Sequence, residues 1–224
     1  MTQRKLALLH TSPVLTPLFA SLCEQWLPEL QIFHAVDESL IKNTIQAGRL
    51  EKTTMRRLAT LVGSALEGGA DGVLVTCSSL GPAVDVARQL YDPPVLRVDA
   101  PMARAAVREG RRIGVLATLR TTLEPTSALV RGAALEAGRA VEVVECLCEG
   151  AFEAVLAGNT ATHDRLLTAA LTERMRDVDV IVLAQASMAR VVAALPAGAV
   201  KAPVLSSPES GVRQVREVFG LGTG

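Results

Sequence analysis

Short apolar runs alternate along this chain with longer stretches whose apolar positions recur at helical spacing. The runs are Lys5–Leu9, Leu30–Ala35, Gly72–Thr76, Val95–Val98, Arg112–Ala117, Val141–Cys146, Asp179–Ala184 and Pro203–Leu205. Between them lie patterns such as Met55–Glu67 and His163–Arg176, apolar at i, i+3 and i+4. A run of four to six apolar residues with no polar alternation predicts a strand buried on both faces. Strands separated by helices in this way predict βαβ units and parallel sheets, an α/β fold.

The pattern also repeats. "RKLALLHTS" from Arg4 resembles "RRIGVLATL" from Arg111, 107 residues on, so that Thr11 falls on Thr118. "ADGVLVTCSSL" from Ala70 resembles "VDVIVLAQASM" from Val178, 108 residues on, which pairs Asp71 with Asp179, Cys77 with Gln185 and Ser79 with Ser187. "PPVLRVDAP" from Pro93 resembles "APVLSSPES" from Ala202, 109 residues on. Three ordered blocks at nearly one offset predict a duplicated four-strand unit, a period far longer than the roughly 20–50 residues of a solenoid repeat. The expectation is two pseudo-symmetric lobes, each a four-stranded parallel sheet flanked by helices, with the active site in a cleft between them. One lobe would hold residues 1–97 plus 206–224 and the other residues 98–205.

Composition narrows the function classes. The 23 Lys and Arg balance the 23 Asp and Glu, and only 3% of residues are aromatic, so no basic, aromatic-laced nucleic-acid surface is expected. No apolar run approaches the roughly 18 residues of a membrane span. The apolar stretch before "HTSP" is too short for a signal peptide, and four cysteines in 224 residues do not make a disulfide framework. The sequence reads as reduced and cytoplasmic. Cys146 and Cys148 lack the second Cys or His pair a zinc site needs. "GLGTG" at Gly220–Gly224 has no helix after it and reads as a tail. Neither a dinucleotide fingerprint nor a P-loop lysine is present, so no cofactor is expected.

In open α/β sheets, ligands bind beyond the carboxyl ends of the strands. That makes "HTSP" (residues 10–13), "CSSLGP" (77–82), "ATLRTT" (117–122) and "QASM" (185–188) the chemical inventory. Cys77 ends a strand, is followed by Ser78, Ser79 and a Gly-Pro helix start, and is a candidate thiol whose pKa a helix N-terminus would lower. Ser12, Ser78, Ser79, Thr118, Thr121 and Ser187 are short hydroxyls on the same loops, suited with backbone N–H groups to a carboxylate. His10 ends the first strand and is a further candidate. His34 and His163 read as structural or solvated, and Cys23, in the helical pattern "LFASLCEQWL", reads as core. Asp71 and Asp179 precede their strands, at the end away from ligand, and read as structural.

The four loops, with the duplication, resemble the aspartate/glutamate/hydantoin racemase superfamily across residues 5 to about 190. "ADGVLVTCSS" is similar to its first-cysteine motif and "RRIGVLATLRTTLEPT" to its strand and carboxylate-binding turn. "VDVIVLAQASMA" is similar to its second-cysteine motif, and "LALLHTSP" to its first substrate-facing loop. The resemblance implies two lobes, a cofactor-independent isomerase, a small carboxylate substrate and a homodimer. It also has departures. Gln185 stands where the second cysteine would be, Ala186 and Ser187 replace the following histidine of glutamate racemases, and Thr11-Ser12 replaces an Asp-Ser pair.

A racemase needs a proton acceptor on one face of a carbon and a donor on the other, and an amide is neither at neutral pH. Cys77 and Gln185 are therefore read as an acid/base or nucleophilic thiol and a hydrogen-bonding group that orients substrate. Proton or nucleophile chemistry beside a carboxylate or carbonyl is the leading reading. Decarboxylation with one-sided protonation, as in the arylmalonate decarboxylase branch, is the alternative; the maleate isomerases offer thiolate attack on an unsaturated diacid. A non-catalytic binder of small acids with a decayed site is the reading from another class.

Overall fold

The computed structural model describes residues 3–222. The last two residues of "GLGTG" lie outside them. The chain divides into two compact units, Met1–Asp99 with Pro208–Gly224, and Ala100–Ser207.

The first unit is built on strands β1 (Lys5–His10), β2 (Gln31–Val36), β3 (Gly72–Val75) and β4 (Val95–Arg97), all parallel, in the order β2-β1-β3-β4. Alternate residues along β1 supply two separate cores, as the period of two in a strand requires. Ala7 and Leu9 pack with Leu58 and Val62 of α3 (Lys52–Glu67) and Val84 of α4 (Gly81–Ala87). Leu6 and Leu8 pack with Phe19 and Cys23 of α1 (Thr16–Trp26) and with Val212 and Val215 of α10 (Ser207–Val218). Helix α2 (Glu38–Ala47) starts where the Asp37 carboxylate accepts from the Ser39 amide and stops at Gly48, whose φ of 67° a Cβ-bearing residue rarely adopts.

The second unit repeats the plan with β5 (Arg112–Ala117), β6 (Glu142–Leu147), β7 (Val180–Leu183) and β8 (Val204–Leu205), parallel and ordered β6-β5-β7-β8. Ile113, Val115 and Ala117 face α5 (Ala100–Glu109) and α6 (Arg120–Glu136). Leu116 and the β7 residues Ile181 and Leu183 face the core under α8 (Thr160–Ala169) and α9 (Ala189–Ala193), with α7 (Ala151–Leu156) beside them. On that face Gly114 makes room for Met175, whose sulfur would lie 2.5 Å from an added Cβ.

The expected helix over His163–Arg176 is α8 followed by a π-helical turn at Ala170–Arg174. The strand at Arg112–Ala117 has its expected bounds, and each of the others differs from them by no more than one residue at either end. Asp71 and Asp179 hold equivalent places: the Asp71 carboxylate accepts from the Lys5 amide at 2.7 Å, and that of Asp179 from the Arg111 and Arg112 amides at 2.8 Å each. Both tie down the amino ends of the central strands. Among the described residues, no helix is long and apolar enough to cross a membrane.

Candidate active site

In the first unit, β3 ends at Val75, and Cys77 is the extended residue (φ −120°, ψ 113°) that opens a 3-10 turn, Ser78–Leu80, leading into α4. Pro82, in the first turn of α4, is preset for a helix start. The half-buried Cys77 sulfur is met by the backbone N–H groups of Ser79 and Leu80 and by the hydroxyls of Ser79 and Thr11. These donors favour a thiolate. Burial opposes them and wins, so the thiol lies above its ordinary 9.0. This corrects the expectation of a lowered pKa: the helix start is present, but the sulfur is too far removed from water for it to prevail. At neutral pH the resting group is the thiol.

Thr11 lies within the "HTSP" loop but is not among the hydroxyls that the sequence singled out. Beside it, His10 is 2% exposed and joined to two side chains. Its Nδ1 lies 2.8 Å from the Thr76 hydroxyl and its Nε2 2.8 Å from His34 Nδ1. Desolvation, with His34 adding to it, pushes the His10 pKa down to about 4. A proton accepted by the unfolded chain near the ordinary 6.5 is thus refused by the native one, and stability falls as pH drops from about 6.5 towards 4. His10→Gln is expected to flatten that slope by close to one proton, measured as urea midpoints across this range. An unchanged slope would assign the titration to another group.

Ser78 and Ser79 are buried, while Ser12 caps the short turn Pro13–Leu15, its oxygen accepting from the Val14 amide at 3.4 Å.

In the second unit Gln185 occupies the position equivalent to Cys77, extended (φ −128°, ψ 132°) and opening the 3-10 turn Ala186–Met188. Its side chain is bound by Thr118. The Thr118 amide donates to Gln185 Oε1 at 2.7 Å and the Thr118 hydroxyl to the same oxygen at 3.0 Å, while Gln185 Nε2 donates back to that hydroxyl at 2.8 Å. Both donors proposed for a carboxylate at Thr118 are thus taken by Gln185. Thr121, in the first turn of α6, has a buried hydroxyl with no hydrogen-bond partner among the described residues, and Ser187 is exposed.

The remaining groups have structural surroundings. Cys23 sits in the first unit's core, its thiol pushed up to about 12 by desolvation. Cys146 and Cys148 are buried, and desolvation raises both. His163, buried at the start of α8, lies 2.7 Å from Asp164, whose carboxyl Arg190 and His163 hold down at about 2. Among the described residues, no group of three or more His, Cys, Asp or Glu is placed to hold a metal ion.

Comparisons with known proteins agree with this architecture. Glutamate racemases of Trichormus variabilis and Trichodesmium erythraeum are 47% identical over 47 residues and 36% identical over 84 residues. These alignments cover 20% and 37% of this chain but only 16% and 30% of those proteins. A glutamate racemase isoform from Bacillus anthracis superposes with a TM-score of 0.74 at 19% identity, over 98% of this chain and 83% of that one. A Francisella tularensis glutamate racemase in complex with D-glutamate gives 0.76 at 11%, over 97% and 81%. Allantoin racemase from Klebsiella pneumoniae gives 0.67 at 17%, over 99% and 89%. At these identities the solved structures share the fold. The Asp/Glu/Hydantoin racemase family model, however, matches residues 9–215, nearly the whole chain, and with two parallel four-stranded sheets each ending in an equivalent turn, the chain belongs to that family.

Proposed function

We propose that this chain is a cofactor-independent isomerase-type enzyme that moves a proton at the carbon beside a carboxylate or carbonyl of a small acid. The observation that carries the reading is the Cys77 sulfur, set at a strand end among four hydrogen-bond donors. Once ionised, the thiolate takes the proton: the C–H bond breaks, the S–H bond forms, and the electron pair moves into the neighbouring carbonyl as an enolate. Return of the proton from sulfur restores the starting configuration, whereas a proton delivered by water to the opposite face of the enolate inverts it, the thiol then giving its proton to the hydroxide left behind. Ser12, Ser78, Ser79, Thr121 and Ser187 are the proposed hydroxyl partners of the acid, and Thr118 acts with Gln185. The relatives' names, glutamate and allantoin racemase, support small acids and their amide-like derivatives as the class.

A second reading rests on two particular features, the Gln185 amide and the protonated resting state of Cys77. With a single proton carrier, decarboxylation fits: the C–C bond breaks, carbon dioxide leaves, its electron pair becomes an enolate, and the Cys77 thiol delivers its proton to one face. The thiolate regains a proton from water.

Incubation with candidate acids in deuterium oxide tests both. The isomerase reading expects deuterium at the carbon beside the carboxylate with loss of configuration and no carbon dioxide. The decarboxylase reading expects carbon dioxide and one labelled enantiomer. Bound acids that neither exchange nor react would overturn both in favour of a binding protein.

A further inference from the structure

The two donors of Thr118 converge on one oxygen, and that oxygen belongs to the protein itself. A backbone N–H can only donate, so the atom 2.7 Å from the Thr118 nitrogen is the carbonyl oxygen of the Gln185 amide, which fixes the orientation of the whole group. The Thr118 hydroxyl has one proton and two lone pairs. It gives the proton to the same oxygen and accepts from Gln185 Nε2. Two convergent donors, one of them a backbone amide in a residue only 8% exposed, make the arrangement that stabilises a negatively charged oxygen. Here a neutral amide oxygen sits in it. Three residues on, the buried Thr121 hydroxyl has no partner among the described residues, so the turn holds more hydrogen-bonding capacity than they use.

We infer that Gln185 is a built-in occupant of the Thr118 cradle, closing it to carboxylates and leaving one neutral amide N–H as what this unit offers a ligand. The consequence is selectivity. A carboxylate arriving at Thr118 must displace a side chain held two residues beyond its own strand, a competitor always present at high effective concentration. The second Nε2 proton, which Thr118 does not use, remains for a ligand oxygen, and a single neutral N–H offsets the desolvation of an uncharged carbonyl but not that of a carboxylate's full charge. On this side the site therefore takes an amide, imide or other uncharged carbonyl group, and any carboxylate of the substrate is held elsewhere. The inference deepens the proposed function and rests on its assignment of Thr118 and Gln185 to substrate, but the state of the cradle can be read without turnover.

The test is a titration of the nitrogen-15-labelled 224-residue chain with sodium acetate, against sodium chloride at equal ionic strength, following the Thr118 amide resonance. In Q185A the resonance is expected to move saturably, with an apparent affinity for acetate at least about tenfold tighter than in the wild-type chain. Q185N, which keeps an amide but withdraws it by one methylene, is expected to fall between them and covers the case in which Q185A does not fold. Adding T118V to Q185A should abolish the gain. Equal acetate responses in wild type and Q185A, or a gain that survives T118V, would overturn the inference. C77A carries the same cradle. Deuterium exchange surviving in C77A would therefore sink the thiol reading of function and leave the Thr118 result standing.

Discussion

Cys77→Ala is expected to lower proton exchange beside the substrate carboxylate by about 10²–10⁴-fold, the usual worth of a positioned acid–base group. Cys77→Ser is the sharper variant. Its hydroxyl can keep the contacts that Thr11, Ser79 and the two backbone amides make with the sulfur, yet it does not ionise in the accessible pH range. If Cys77 only positioned substrate, serine would restore most of the rate. If it carries the proton, serine stays near the alanine level. The pH profile distinguishes the two proposed chemistries. Burial holds the thiol above 9.0, so a rate that needs the thiolate rises with pH through neutrality and levels only beyond that value. A rate that needs the thiol as donor is flat through neutrality and falls there instead. Thr11→Val removes one of the groups favouring the thiolate. Its expected signature is a shift of either limb to higher pH, which a purely structural role for Thr11 would not produce. Rates are read by deuterium incorporation, and full activity in Cys77→Ala would assign the proton transfer to another residue.

Much of this architecture is written in the apolar pattern, because parallel strands covered on both faces need continuous apolar runs, and the runs at Lys5–Leu9 and Gly72–Thr76 carry that mark. The duplication also aligned Thr11 with Thr118 and Cys77 with Gln185. What it did not disclose is that Thr11 touches Cys77 and that Thr118 touches Gln185, each pair within its own unit. In the first sheet Leu9 lies beside Val75, so the residues two further along, Thr11 and Cys77, meet. In the second sheet Leu116 lies beside Leu183, and two further along Thr118 meets Gln185. The same device is used twice, with a thiol in one unit and an amide in the other. Register between parallel strands more than sixty residues apart is set by tertiary packing, so no local pattern reports it. The raised pKa of Cys77 is hidden from the sequence for a related reason: a helix start can be read from Gly81-Pro82, whereas burial depends on Thr11 and the helices packed around the sulfur. His10 and His34 meet across β1 and β2 in the same non-local way.

The largest effect on stability is expected at Arg97, at the end of β4. Its guanidinium is 5% exposed and bonds Asp99, itself 1% exposed, through Nε–Oδ1 at 3.0 Å and Nη2–Oδ2 at 3.1 Å, with Asp85 Oδ2 a further 2.8 Å from Nη1. The Arg97 carbonyl accepts from Gln214 Nε2 of α10 at 2.7 Å, tying the returning helix to the sheet. Arg97→Met keeps the bulk and leaves the Asp99 carboxylate buried without its cation, a loss worth about 3–5 kcal/mol of the first unit's stability. Arg97→Met with Asp99→Asn removes both charges and is expected to be milder than Arg97→Met alone, since the cost lies in the uncompensated ion rather than in the lost pair. Urea midpoints on the two variants check this, and a double variant less stable than the single one would contradict it. The arginine also reaches the candidate site. A Cβ on Gly81 would collide with the Arg97 guanidinium, which therefore packs directly on the backbone at the start of α4, four residues after Cys77. Withdrawing it frees the turn whose amides face the sulfur, and Arg97→Met is therefore expected to raise the rate of Cys77 alkylation at pH values where the chain is still folded.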